Sequence, residues 1–342
     1  MLFNWDFEPD VVIATMLACA MYAAGIRRRR GKSDVRQRFR DVSYFAGIAC
    51  VFLALESPVD ALADHLFWVH QIQHILLRMI APMLIALSAP QATLIRGLPR
   101  ALRDGMLSPF MGSGLLRRLF GFLTNATVAT LLFIAALYVW QYPPIHNAAI
   151  LNDAIHYTMH VTMLVAGLLF FWRVFDMRPP PMGNGYGKRL MMLLLVSLTQ
   201  VGLGAYLTLK SEVLYPAYDV AGRYFGIKPL TDEIAGGFIV WAPSSMMCLI
   251  AALIVIHSWG RQETRADERH PAWSGGNVWH PTTGADLVAQ ARAKNRTLAI
   301  GVAGLVVLMF GMAIFAGVLD HLNAKAPGGL FARSAAVERA VR

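Results

Sequence analysis

Residues 64–90 read DHLFWVHQIQHILLRMIAPMLIALSAP, and this stretch decides the fold. From Leu66 to Leu87 it is apolar enough and long enough to cross a bilayer, which takes about 20 residues. Inside the run, His70 and His74 stand four residues apart and Arg78 follows four further on. At about 3.6 residues per turn the three side chains share one stripe of a helix. Ionisable groups at membrane depth are costly, so the stripe is expected to face the bundle interior or a wet cavity. Residues 152–175 repeat the pattern with His156 and His160.

The rest of the composition agrees. Of 342 residues, 56% are hydrophobic and 15% charged, whereas soluble domains carry about 25% charged residues. Only helices or closed barrels satisfy the backbone in lipid, and apolar runs this long are helical rather than the short alternating strands of a barrel. The fold class expected is an all-α polytopic membrane protein. A net charge of +10 would suggest nucleic acid in a soluble chain. Here Lys and Arg cluster in alternate connections between apolar runs, as cytoplasmic loops do, so the partner is the lipid bilayer and no nucleic acid is expected. Cys19, Cys50 and Cys248 lie singly in apolar runs and suggest neither disulfides nor thiolate metal sites.

Taken in order, apolar runs begin near Val11, Val42, Leu66, Ala126, Asn152, Leu190, Glu233 and Leu298. The first is followed, not preceded, by Arg27–Arg30, so it reads as a retained span rather than a cleaved leader. The resulting organisation is a seven-span bundle over 1–260, a basic cytoplasmic loop over 261–297, an eighth span over 298–320 and a tail over 321–342. The distribution of Lys and Arg places the N-terminus, and the C-terminus with it, on the outer (periplasmic) side of a bacterial inner membrane.

That topology gives the histidines one address. Both pairs enter from the outer face at similar depths, and facing i,i+4 pairs can build a four-nitrogen site in a bundle core. His70, His74, His156 and His160 are the candidate metal ligands, with His65, Met159, Met163, Asp64, Asp153 and Glu56 as candidate accessories. Imidazole suits copper, zinc and iron, so copper, zinc and haem all stay open. Methionines in an apolar helix are more often packing than ligands. The acids Glu56, Asp60, Asp64 and Asp153 form either a cation-collecting mouth or an ordinary outer rim. Arg78 needs an acidic partner, for which Glu56 is the sequence candidate. His146 reads as a loop residue with no evident partner.

The string His70-Gln-Ile-Gln73-His74, with Ala81-Pro82 and Ala89-Pro90 after it, resembles the H-x-x-Q-H…A-P…P signature of the polytopic CtaG family. Trp140-Gln-Tyr-Pro143-Pro144, followed by Ala148-Ala149 and the His156/His160 pair, is similar to a second family segment. Leu230-Thr231-Asp232, Gly236-Gly237 and Trp241-x-Pro243 are similar to a third. The resemblance covers about residues 42–257. It implies a seven-span assembly factor for cytochrome c oxidase of the caa type, handling copper and contacting an oxidase subunit or another assembly factor. It also implies that Gln73, Pro82, Pro143 and Pro144 support the histidines. Arg78 and the chain beyond His257 depart from that pattern. An assembly factor makes no bonds, so no enzyme activity is expected. The competing readings are a bis-histidine haem electron carrier, a zinc-dependent intramembrane hydrolase with Asp64 or Asp153 as base, and a copper transporter.

Overall fold

In a computed structural model, residues 8–29, 34–107, 112–176, 178 and 183–269 are described. The chain divides into two units, Met1–Gly260 and Arg261–Arg342. The described residues are helical, with no strand among them. The helices that matter below are α1 (Pro9–Arg27), α2 (Val35–Leu55), α3 (Pro58–Ala63), α4 (Phe67–Ser88), α5 (Gln91–Gly97), α6 (Gly114–Leu123), α7 (Ala126–Gln141), α8 (Pro143–Ile150), α9 (Asp153–Val174), α10 (Tyr186–Leu209), α11 (Ala217–Ala221) and α12 (Pro229–Arg269).

Five of these, α1, α4, α9, α10 and α12, are long and apolar enough to cross a membrane. A sixth span is formed if α6 and α7, bent by 64° at their junction, count as one. The helix α2, expected to be a span from Val42, is not among them. Arg36, Arg38, Arg40 and Asp41 occupy its first half and leave only the second half apolar. The run near Leu298, expected to be an eighth span, lies outside the described residues.

The helix α4 is the centre of the bundle. Its apolar window is 67% buried, against 22–44% for the other four spans. The second half of α4 packs on α2, its middle on α9, and its start on α12, where Gly236 lies against the Phe67 ring. In turn α7 packs on α9 and α10. Phe133, Phe170, Phe171, Met79, Met83 and Val196 fill the space between these helices. Between apolar helices in lipid, close packing rather than water exclusion holds such a core together.

The middle of α4 is not regular. Pro82 has no N–H to give the carbonyl four residues back, that of Arg78, and its ring crowds that carbonyl. The chain answers with a π-helical turn over Leu76–Ile80, in which the Ala81 amide bonds to the Leu76 carbonyl. Gly167 of α9 sits directly against the Arg78 carbonyl and the Pro82 ring, where any Cβ would collide. The π turn therefore coincides with a tight contact between the two histidine-bearing helices.

Candidate metal centre

Each histidine helix is fixed at the end that carries its histidines. For α9 the cap is local: the Asn152 side chain accepts from the Ile155 amide at 3.1 Å. For α4 it comes from far along the chain. The Asp232 carboxylate accepts the Phe67 amide at 3.0 Å and the Trp68 amide at 2.9 Å, two of the four donors that open a helix. Asp232 is buried and ion-paired to Arg223, while its neighbour Glu233 accepts the Leu214 and Tyr215 amides and pairs with Lys210. The connection 210–228 is thus stapled to the start of α12.

These anchors bring the imidazoles together. His70, His74 and His160 are buried, and one ring nitrogen from each falls within 4.8 Å of the others. Nε2 of His70 and Nε2 of His74 face one another at 2.7 Å. The His160 ring lies 5.9 Å from that of His70 and 5.8 Å from that of His74, centre to centre. His156 closes the fourth side, 5.1 Å from His70 and 4.4 Å from His160. It is the outermost of the four, with Nδ1 3.7 Å from the half-exposed Asp64 carboxylate.

A fifth histidine belongs to this cluster. Pro143 and Pro144 occupy the first turn of α8, where a missing N–H costs nothing, and α8 carries His146 inward. His146 is fully buried, its ring 5.2 Å from His70. Nδ1 lies 2.8 Å from the Trp140 carbonyl and Nε2 2.9 Å from the Tyr218 hydroxyl. A carbonyl only accepts, so Nδ1 carries the proton and Nε2 accepts from Tyr218. Burial pushes the His146 imidazole down to about 4, the Trp140 carbonyl opposing the shift. With both nitrogens engaged, His146 is a wall of the site rather than a free ligand. The expectation that it was a partnerless loop residue is corrected. Sequence alone does not pair it with Tyr218, 72 residues away.

The other candidates are distributed as follows. Gln73 donates to the Ala54 carbonyl at 2.8 Å and to the Asp60 carboxylate at 2.5 Å, tying α4 to α2 and α3 beside His74. Burial, with Asp64 nearby, raises the Asp60 carboxyl to about 7. His65 stacks on Tyr224 and its Nδ1 meets the Gly222 carbonyl, so it braces the 210–228 connection. Met159 and Met163 pack with Ala149 and Trp140. Asp153 is exposed in the first turn of α9. Glu56 accepts the Glu8 amide and is not the partner of Arg78. No ion pair forms to Arg78 among the described residues: its guanidinium lies 4.7 Å over the Phe133 ring, with Nε and Nη1 unbonded. A cation–π contact replaces the expected carboxylate.

The cluster suits a metal by its loose ends. Nδ1 of His70, Nδ1 of His74, Nε2 of His156 and Nε2 of His160 are buried with no hydrogen-bond partner. Orphaned buried nitrogens of this kind are exceptional in a folded protein. The His70–His74 contact leaves the accepting ring's proton on its Nδ1, so a positive ion would draw on the nitrogens of the cluster that carry no proton.

Comparison with known families decides the kinship. The model of the cytochrome c oxidase caa3 assembly factor family (Caa3_CtaG) matches residues 20–262, well over half of the chain. The chain belongs to this family. All five clustered histidines lie within the matched region. Among curated relatives of this family member, an uncharacterized protein of Mycobacterium bovis is 27% identical over 271 residues, covering 78% of this chain and 40% of the relative. An uncharacterized protein of Mycobacterium leprae is 24% identical over 277 residues, covering 78% of this chain and 41% of the relative. The chain thus spans about 40% of the length of the curated relatives it matches. No solved structure matches it.

Proposed function

We propose that this Caa3_CtaG member holds copper as cargo at His70, His74 and His160, with His156 at the mouth, and presents it to a cytochrome c oxidase subunit or another assembly factor while the oxidase matures. In this reading the chain is no enzyme. In the same reading the bundle has seven spans, the apolar second half of α2 completing the six described above, and the histidines lie near the outer face of a bacterial inner membrane, with the arginine-rich connections inside. The observation that carries the proposal is the convergence of three buried imidazoles from two helices, one nitrogen of each within 4.8 Å of the others. Imidazole binds copper in either common oxidation state and also zinc, so the family membership supports copper over zinc.

Metal content and the absorption spectrum of detergent-purified protein test the proposal, alongside the His70/His74/His156/His160 quadruple Ala variant. Copper in the parent, lost in the variant, with no haem Soret band, is the expected result. A Soret band lost in the variant would favour the electron carrier. Zinc in place of copper would favour the hydrolase. Absence of any metal would leave a partner-binding scaffold.

A further inference from the structure

The opposite end of α4 carries a second site of different chemistry. A cavity of about 550 Å³ opens where α1, α2, α4 and α5 meet, lined by Arg28, Arg29, Gln37, Arg40, Ser88 and Arg96, with Ala89, Ala92 and Thr93 behind them. Its wall turns on Ala89, held at φ +48° in the left-handed region between Ser88 and Pro90. Few residues other than glycine adopt that conformation, so this corner is shaped at some cost in backbone strain.

Four guanidinium groups around one cavity repel one another unless something offsets them. Asp41 takes Arg29 in a two-pronged pair at 2.9 Å. Asp34, close enough to act on Arg40, caps α2 through the Gln37 amide at 2.7 Å. Arg28 donates to the carbonyls of Arg96, Gly97 and Leu98, which pins α1 to α5 but cancels no charge. Among the described residues, four arginines and no carboxylate line the cavity, which makes its lining net positive. Planar guanidinium forks match the oxygens of a phosphate. The volume lies within the range of ordinary small-ligand pockets.

Depth identifies the environment. Ser88 is fourteen residues beyond His74, about 21 Å along the helix, so the cavity sits across most of the membrane from the histidines. That is the head-group level of the opposite face. Basic pockets between spans at that level are where acidic lipids dock.

We propose that this cavity binds an anionic phosphate group, the chemistry shared by a phospholipid head group and free inorganic phosphate. The test uses the purified full chain in nanodiscs of phosphatidylglycerol or phosphatidylcholine, and in detergent with inorganic phosphate. Retained lipid is read by mass spectrometry and stabilisation by the thermal midpoint. Arg40→Gln with Arg96→Gln removes two cavity charges while leaving the Arg28 and Arg29 contacts in place. Arg117→Gln with Arg118→Gln makes the same charge change on the exposed surface of α6.

Phosphatidylglycerol is expected to bind and stabilise the parent, with affinity falling about tenfold or more in the cavity variant and little in the α6 variant. Inorganic phosphate stabilising the parent, and losing that effect in the cavity variant alone, would support the same site with free phosphate as its source. Equal loss in both variants, or none in the cavity variant, would overturn the proposal. If the double variant misfolds, Arg96→Gln alone serves, with rescue by Arg96→Lys expected; its failure to weaken binding would overturn the proposal equally.

Discussion

The two histidine pairs have the same spacing, yet the structure treats them differently. On α4, His70 and His74 are buried and face each other nitrogen to nitrogen. On α9 the pair is divided: His160 joins that group, while His156 stays at the rim, 16% exposed beside Asp64. The caps differ too, since α9 is held by its own Asn152 and α4 by an ion-paired carboxylate from another helix. Identical sequence motifs thus yield three enclosed donors and one accessible one. An entry position and a holding position can be built from a single repeated pattern.

The largest effect that bears on this comparison is expected from the enclosed donors. His74→Ala or His160→Ala should lower copper affinity by more than about a hundredfold, beyond the range commanded by residues that only orient ligands, as read by competition with a chromogenic chelator. His146→Phe should cost about 10–100-fold in the same assay, because it removes a wall and frees the Tyr218 hydroxyl without removing a donor. His156→Ala should cost less than either enclosed donor and slow copper uptake more than release. Equal losses at His156 and His160 would erase the distinction between rim and interior.

The caps give a second contrast, read by thermal or denaturant unfolding in detergent. Asp232→Ala should destabilise by about 2–4 kcal/mol, since it strips two amides of their acceptor and leaves Arg223 paired to the part-exposed Asp219 alone. Asn152→Ala should cost about 1 kcal/mol.

A pH dependence is expected as well. The folded-state value of about 7 at Asp60 lies above the ordinary carboxyl value. Its contribution to stability is therefore full at low pH and is lost as pH rises through about 7. Asp60→Asn should flatten that part of the profile.

Much of this architecture was legible in the chain. The i,i+4 spacing, the apolar runs and the alternation of basic connections placed His70, His74 and His160 together, because helical period and membrane depth are both local properties. His146 was not legible: its burial depends on a short helix after Pro143-Pro144 and on Tyr218, a pairing that no periodicity encodes. Arg78 was read as half of an ion pair, since the cost of a buried cation is general, but the aromatic face that receives it belongs to another helix. The π turn could have been anticipated from Pro82, whose missing amide falls opposite the Arg78 carbonyl. Glu56 and His65 turned out to brace neighbouring segments because outer-loop polarity alone does not say which way a side chain points.

Asp232 also bears on the order of events during synthesis. The histidine helix α4 leaves the ribosome early, but the carboxylate that closes its first turn follows more than 160 residues later. Until then two amides at the head of that helix lack their native acceptor, and the connection 210–228 lacks its ties to Asp232 and Glu233. The centre is therefore expected to acquire its final rigidity last, after α12 has been inserted. A chain truncated before Pro229 would carry all five clustered histidines and still lack the lock that aligns two of them.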